Sequence, residues 1–137
     1  METSITYRTD LADVDWERLK EALSLDQFDN GRSAEQLRIS FENTRFVVLA
    51  LACEAIVGTA RALSDGVCNA YIVDVWTQSD FRRQGIGSRM MHMLLDQLPG
   101  QHVSLFTEEY EAFYEQLGFR EESTGFSLVV GTWLQGD

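Results

Sequence analysis

The pattern of apolar and polar positions divides the 137-residue chain into short segments of different period. Strands are predicted where apolar residues alternate or run together, because successive side chains of a strand face opposite sides of a sheet. The predicted strands are Ile5–Arg8, residues 46–52 and 55–63 as a hairpin, residues 70–77, residues 103–106, residues 119–122 and residues 126–130. The run at 70–77 is rich in aromatic and β-branched residues, so we expect it to be central.

Helices are predicted where apolar residues recur at spacings of three and four. The clearest helix begins near Gly85 and ends before Pro99. Three further helices are predicted: one capped by Asp10 or Asp13 and running to Leu23, one from a Ser33–Gln36 capping box to Phe41, and one from Glu108 to Leu117 with Gly118 as its C-terminal cap. The order β-α-α-β-β-β-α-β-α-β-β predicts an α/β fold (α+β, with a mixed sheet) in a single domain over residues 1–137.

Composition and charge narrow the function classes. The net charge of −11, from 22 acidic and 11 basic residues, argues against general nucleic-acid binding and favours cationic partners such as amines. The N-terminus lacks a signal-peptide pattern, and no apolar run is long enough to span a bilayer, so we expect a cytoplasmic protein without membrane contact. Cys53 and Cys68 are too few and too widely separated for a metal or redox motif, and they are predicted to be core thiols.

An anion site is predicted where the central strand passes through a turn into the long helix. The turn carries Arg82, Gly85 and Gly87 in the pattern Arg-x-x-Gly-x-Gly. The start of a helix offers N–H groups without internal partners and a partial positive charge, and glycines let an anion approach the backbone. A dinucleotide fingerprint would need glycine where Met90 stands, and a Walker loop would need a lysine that the turn lacks.

With this pattern the sequence resembles the GCN5-related N-acetyltransferase (GNAT) family, whose first hallmark is Gln/Arg-x-x-Gly-x-Gly/Ala after a strand. The second hallmark, Phe-Tyr-x-x-x-Gly-Phe, is matched from Phe113 to Phe119. Two positions depart from the family pattern: Arg83 replaces a residue that is usually small, and Thr107 stands where many members have asparagine. The resemblance implies a GNAT-like acyl-CoA N-acyltransferase fold, with a central, mostly antiparallel mixed sheet flanked by helices.

The resemblance also implies roles for individual residues. The cosubstrate is acetyl-CoA, with no metal, and Tyr114 is the expected general acid for the departing thiolate. Asp74 is a candidate base for the amine, with a purely structural role, bonded to neighbouring backbone, as the alternative. The strand residues implied to hold the pantetheine arm and thioester are Val75, Trp76 and Thr77. The residues implied to bind the pyrophosphate are Arg82, Arg83, Gln84, Gly85, Ile86, Gly87 and Ser88.

A narrower resemblance concerns residues 61–66 and 69–75, which are similar to the plastid and cyanobacterial branch of amine N-acetyltransferases. The expected function is therefore acetyl transfer from acetyl-CoA to a primary amine of a small molecule or peptide, by direct attack on the thioester. The acceptor is expected to be cationic, and a homodimer is expected by analogy with the family. The alternative is a non-catalytic acyl-CoA-binding or interaction module with the same fold.

Overall fold

The computed structural model describes residues 3–122 and 124–135. They form two compact units, of which the first ends at Phe106 and the second begins at Thr107. The elements of the first unit are β1 (Ile5–Arg8), α1 (Trp16–Leu25), α2 (Ala34–Glu42), β2 (Phe46–Ala52), β3 (Ala55–Ser64), β4 (Asn69–Thr77), a 3-10 turn (Ser79–Phe81), α3 (Ile86–Leu95) and β5 (His102–Ser104). The second unit contains α4 (Glu111–Gln116). Within the described ranges, no helix is both long and apolar enough to cross a membrane.

The first unit is built on a five-stranded sheet in the order β1-β2-β3-β4-β5. The first four strands pair antiparallel with their neighbours, and β5 pairs parallel to β4. This mixed, mostly antiparallel sheet with flanking helices confirms the predicted fold class. Strand β5 is shorter than the predicted run at 103–106.

Helices cover both faces of the sheet. On one face, Leu19 and Leu23 of α1 and Phe41 of α2 join one buried cluster with side chains of β2 and with Trp76 of β4. Helix α3 packs on the other face, against β2, β3 and β4. It approaches β3 so closely at Gly58 that a Cβ there would lie 2.9 Å from Met90 Cε.

The N-cap residues of α1 and α2 can be compared with those predicted from the sequence. The Ser33–Gln36 capping box at the start of α2 is confirmed in both directions. The cap predicted for α1 was wrong: Asp15 is the N-cap residue and accepts a hydrogen bond from the Arg18 N–H. The Asp10 carboxylate instead accepts hydrogen bonds from the Arg8 guanidinium and from the Ala12 N–H. Because these bonds already engage it, the carboxylate does not cap the helix.

The end of the chain differs most from expectation. The segments 119–122 and 126–130, predicted as strands, contain no strand in the described residues, and Ser123 between them lies outside those residues. The reason is the lack of a paired neighbour, since a strand is stabilised by a partner and a buried face. Phe126 is 90% exposed and Leu128 85% exposed.

Two smaller predictions were also wrong. The predicted helix at 108–117 is limited to α4, because the Thr107 hydroxyl accepts the Tyr110 N–H and holds the preceding residues in a turn. Cys53 and Cys68, predicted as core thiols, are both exposed. Cys53 lies in the β2–β3 turn with φ of 58°, and Cys68 lies in the loop before β4, where its thiol donates to Asp65.

Candidate cofactor and catalytic site

The loop between β4 and α3, residues 78–85, redirects the chain from β4, the fourth strand of the five in the sheet, into the helix, and we call it the β4–α3 loop. The Gln78 N–H donates to the Val57 carbonyl at 2.7 Å, which holds the beginning of the loop on β3. The 3-10 turn follows, and then Arg83 and Gly85 adopt left-handed backbone conformations with φ of 64° and 81°. Gly85 is the N-cap residue of α3 and offers no side chain to its first amides.

The amides at the end of this loop and at the start of α3 are available to a ligand. In the part of the chain that the structure describes, the backbone N–H groups of residues 83–88 donate no hydrogen bond, whereas the Gly85 carbonyl accepts from the Arg89 N–H at 3.0 Å. A Cβ built on Gly85 would meet no atom within 4 Å. Unused amides, open space and the positive end of a ten-residue helix together fit an anionic group such as a diphosphate.

The three arginines of this region have different surroundings. Arg82 is exposed, and its Nε donates to the Thr77 carbonyl at 3.0 Å, so its guanidinium lies at the end of β4. Arg83 is also exposed and forms no ion pair with the described residues. Arg89 lies one helical turn further on, with its guanidinium carbon 5.9 Å from the centre of the Tyr7 ring. Arg82 and Arg83 are therefore exposed guanidinium groups at the beginning of the run of unused amides, and Arg89 follows its end.

Strand β4 has an open edge beside this loop. Strand β5 pairs only with Asn69–Tyr71, so Val75, Trp76 and Thr77 continue without a β5 partner. On its other side, β4 pairs with β3 through an irregularity between Thr59 and Arg61. Backbone groups on an open strand edge can hydrogen-bond an extended ligand, as an added strand would. The predicted role of residues 75–77 stays a prediction.

The irregularity in β4 lies at Asp74, where φ is 53°. The Thr59 hydroxyl donates to the Asp74 carbonyl at 2.7 Å, which fixes the distorted backbone. The Asp74 carboxylate accepts from both terminal nitrogens of Arg32, at 2.9 and 3.1 Å, and from Arg61 Nε at 2.7 Å. The side chains of Asp74 and Arg32 are 7% and 6% exposed.

These contacts bear on the predicted base. Two guanidinium groups occupy the oxygens of the Asp74 carboxylate, so a proton taken from an ammonium would have to displace one of these hydrogen bonds. The arrangement favours a structural role, in which the loop between α1 and α2 is held against the bulge of β4 through Arg32. The partners are side chains and not the backbone groups expected from the sequence. Catalysis by Asp74 stays a prediction.

Tyr114 belongs to the second unit. Its ring packs edge-on against Phe113 and Phe119, with centroid separations of 5.0 and 5.9 Å. Burial raises the pKa of Tyr114, and the neighbouring Tyr110 raises it further. The phenol therefore keeps its proton at neutral pH, as a general acid requires. The catalytic role of Tyr114 stays a prediction.

Comparison with known proteins places this geometry in a family. A sequence model described as "Acetyltransferase (GNAT) family" matches residues 9–119. The chain belongs to this family. The match covers both motifs that carried the resemblance, and the GNAT fold recurs in an acetyltransferase of Streptococcus pneumoniae TIGR4, which is 27% identical with a TM-score of 0.79, covering 93% of this chain and 98% of that one.

Relatives of this GNAT chain are found among N-acetyltransferases, some of which are chloroplastic. Ycf52 of Pyropia yezoensis, described as an uncharacterized N-acetyltransferase, is 33% identical over 102 residues, covering 69% of this chain and 59% of the relative. Serotonin N-acetyltransferase 2, chloroplastic, of Oryza sativa subsp. japonica is 34% identical over 96 residues, covering 64% of this chain and 48% of the relative. The chain thus spans only about half of these relatives' lengths, and the suspected branch of the family is confirmed.

Sequence reasoning missed three residues around the GNAT site. Arg32 and Arg61 hold Asp74, and Asp26 contacts the beginning of the β4–α3 loop. Arg61 is the first residue of the segment that resembles the plastid branch, and this resemblance could have drawn attention to Arg61. Arg32 and Asp26 lie in irregular chain at the ends of helices, where no periodicity marks them.

Proposed function

We propose that this protein is an acetyl-CoA-dependent N-acetyltransferase that acts on a primary amine of a small molecule or peptide. One observation carries the proposal: six consecutive amides, residues 83–88, are without acceptors among the described residues, in the segment that leads from β4, whose end has no β5 partner, into α3. Membership of the GNAT family and similarity to other N-acetyltransferases support the same chemistry, which remains a proposal for this chain.

Acetyl-CoA supplies the acetyl group as an activated thioester. The chain's own contribution begins with binding: the amides of residues 83–88 donate to the diphosphate oxygens, and the exposed guanidinium groups of Arg82 and Arg83 add positive charge. Such charge-assisted hydrogen bonds are about twice as strong as neutral ones. In a protein of net charge −11, this local concentration of donors is what an anionic cosubstrate requires.

The backbone of Val75, Trp76 and Thr77 then holds the pantetheine arm along the open edge of β4. An N–H of this strand donates to the thioester oxygen, where negative charge develops as the amine attacks. The neutral amine attacks the thioester carbon, and the new carbon–nitrogen bond replaces the carbon–sulfur bond. The departing thiolate takes the phenolic proton of Tyr114, while the proton that the amine nitrogen loses passes to water, from which Tyr114 is protonated again. Because the pKa of Tyr114 is raised above 10.0, the phenolic proton is present throughout the neutral range.

The proposed acceptor is a cationic amine. The acidic surface attracts such molecules, and the named substrate of the rice relative is an amine. The proposal includes a cytoplasmic location, no contact with nucleic acid or membrane, and a homodimer in solution. A non-catalytic acyl-CoA-binding module with the same fold is the alternative.

The experiment combines a binding and a turnover measurement. Saturating acetyl-CoA is expected to raise the melting temperature, because a ligand that binds only the native state stabilises it. Release of free CoA thiol is then followed with arylalkylamines, polyamines, aminoglycosides and N-terminal peptides in parallel. Stabilisation with thiol release supports the enzyme, stabilisation without release from any amine supports the module, and no stabilisation contradicts both.

A further inference from the structure

Asp26 ties the end of helix α1 to the end of strand β4. It is the C-cap residue of α1, where its backbone N–H donates to the Leu23 carbonyl. Its carboxylate Oδ2 accepts hydrogen bonds from the Trp76 indole Nε1 at 3.0 Å and from the Ser79 N–H at 2.9 Å. Its Oδ1 accepts from the Ser79 hydroxyl at 2.8 Å. One carboxylate therefore holds both the last part of β4 and the first residue of the 3-10 turn.

These hydrogen bonds supply a cap that the turn does not provide for itself. Gln78, the N-cap residue of the turn, makes no side-chain capping bond. The first amides of any helical turn lack internal partners, and the residue directly before them usually provides the acceptor. Here the acceptor stands 53 positions earlier in the chain. Because the Trp76 side chain is only 2% exposed, the carboxylate is itself anchored on a buried group.

The carboxylate of Asp26 is ionised at neutral pH. Burial by itself raises the pKa of Asp26, but the hydrogen bonds from Ser79 and Trp76 and the positive charge of Arg82 outweigh burial and lower the pKa below its ordinary value. An ionised acceptor makes stronger and more directional hydrogen bonds than a neutral one. The ionised carboxylate thus links α1 to the β4–α3 loop through three hydrogen bonds.

We infer that Asp26 is a positioning residue for acetyl-CoA, which acts through Ser79 and Trp76 to set the direction in which the β4–α3 loop leaves the strand. The amides of residues 83–88 lie a few residues after Ser79, so the direction in which the loop leaves β4 decides where these N–H groups point. The inference rests on the proposed function, because it concerns the loop that would bind the diphosphate. Asp26 need not touch the cosubstrate, since a displacement of about 1 Å in a set of donors already weakens binding.

The test measures acetyl-CoA affinity by calorimetry in two variants, at a temperature where each is folded by circular dichroism. Asp26→Ala removes all three hydrogen bonds and is expected to weaken binding by about tenfold or more. In Asp26→Asn the amide oxygen still accepts from Trp76 and Ser79, and the amide nitrogen donates to the Ser79 hydroxyl after that hydroxyl rotates. This variant is expected to bind within about threefold of wild type, because the geometry survives the loss of charge.

Asp29→Ala is the matched control, since Asp29 lies in the same loop after α1 but its carboxylate pairs with Lys20. Equal losses of affinity in the Asp26→Ala and Asp29→Ala variants, or none in Asp26→Ala, would overturn the inference. Should Asp26→Ala fail to fold, Ser79→Ala removes one of the three hydrogen bonds, and an affinity equal to wild type would overturn the inference as well. Failure of the wild type to bind acetyl-CoA would instead refute the proposed function.

Discussion

Replacing Gly85 with alanine has two separately measurable effects. It destabilises the fold through backbone strain in the β4–α3 loop, and it weakens the binding of acetyl-CoA at that loop. Gly85 has φ of 81°, in the left-handed region that L-residues avoid. Alanine in this conformation costs about 1–2 kcal/mol. The added Cβ meets no atom within 4 Å, so no steric clash increases that cost. At roughly 4 °C per kcal/mol for a domain of this size, the melting temperature is expected to fall by about 4–8 °C.

The effect on binding is expected to be larger than this strain. The new methyl group projects into the open space beside the unused amides, where we propose that the diphosphate binds. Hydrogen bonds to a charged group contribute about 1.5–3 kcal/mol each, so the loss of even one of them raises the Kd for acetyl-CoA by at least about tenfold. Calorimetry on the folded variant measures this change directly.

Gly100→Ala is the matched control for this experiment. Gly100 has φ of 76°, and a Cβ there also meets no atom within 4 Å, but it lies in the turn after α3. Its replacement is expected to lower the melting temperature by a similar amount and to leave the Kd unchanged. If both variants change the Kd equally, or if Gly85→Ala binds as wild type does, the assignment of the amides to a diphosphate is wrong.

Three further predictions concern Tyr114, Asp74 and Asp26. Tyr114→Phe is expected to lower kcat by about 100-fold or more, with acetyl-CoA affinity near wild type. Because the pKa of Tyr114 is raised from its ordinary value of 10.0, the kcat of the wild type is expected to fall on deprotonation of Tyr114 only above pH 10.0. Steady-state kinetics check both points, and an unchanged kcat in Tyr114→Phe removes the catalytic role. Asp74→Ala leaves Arg32 and Arg61 without their shared carboxylate and is expected to lower the free energy of unfolding by about 3–5 kcal/mol in urea titrations. A loss below about 1 kcal/mol would show that the buried ion pairs are not structural. The lowered pKa of Asp26 means that it stabilises the fold above its ordinary pKa of 3.8, and that this stability is lost as pH falls below that value. The melting temperature of wild type should therefore fall more steeply with acid than that of Asp26→Asn, and parallel curves would argue against the sign of the shift.

The position of the β4–α3 loop was predictable from the sequence because the signals that mark it are local. A strand, two glycines and an amphipathic helix follow one another within a short stretch, and each has its own signal in the residue pattern. The fold class followed from the order of such segments. The Ser33–Gln36 capping box is local in the same sense, and its prediction was confirmed.

The contacts around Asp74 and Asp26 were not predictable in this way. Arg32 and Asp74 are separated by 42 positions, and Asp26 and Ser79 by 53, so no local period connects them. The start of α1 failed for a related reason. Asp10, Asp13 and Asp15 can all cap a helix, and the choice depends on the hydrogen bonds of Asp10 to Arg8 and on the left-handed φ of Asp13.

The segment at 126–130 shows the limit of alternation as a signal. Alternating apolar residues indicate that a strand can form, but formation also needs a neighbouring strand in register and a face to bury. Neither condition is visible in the segment itself, and its side chains are largely exposed in the structure.

The most direct test of the central claim is an amide-resolved NMR titration of ¹⁵N-labelled protein with acetyl-CoA. We predict that the largest shifts of the first unit occur in the amides of residues 83–88, and that Gly85→Ala suppresses them while Gly100→Ala does not. Saturable shifts confined to other parts of the chain, with residues 83–88 unmoved, would contradict the proposal that these amides bind the cosubstrate's diphosphate.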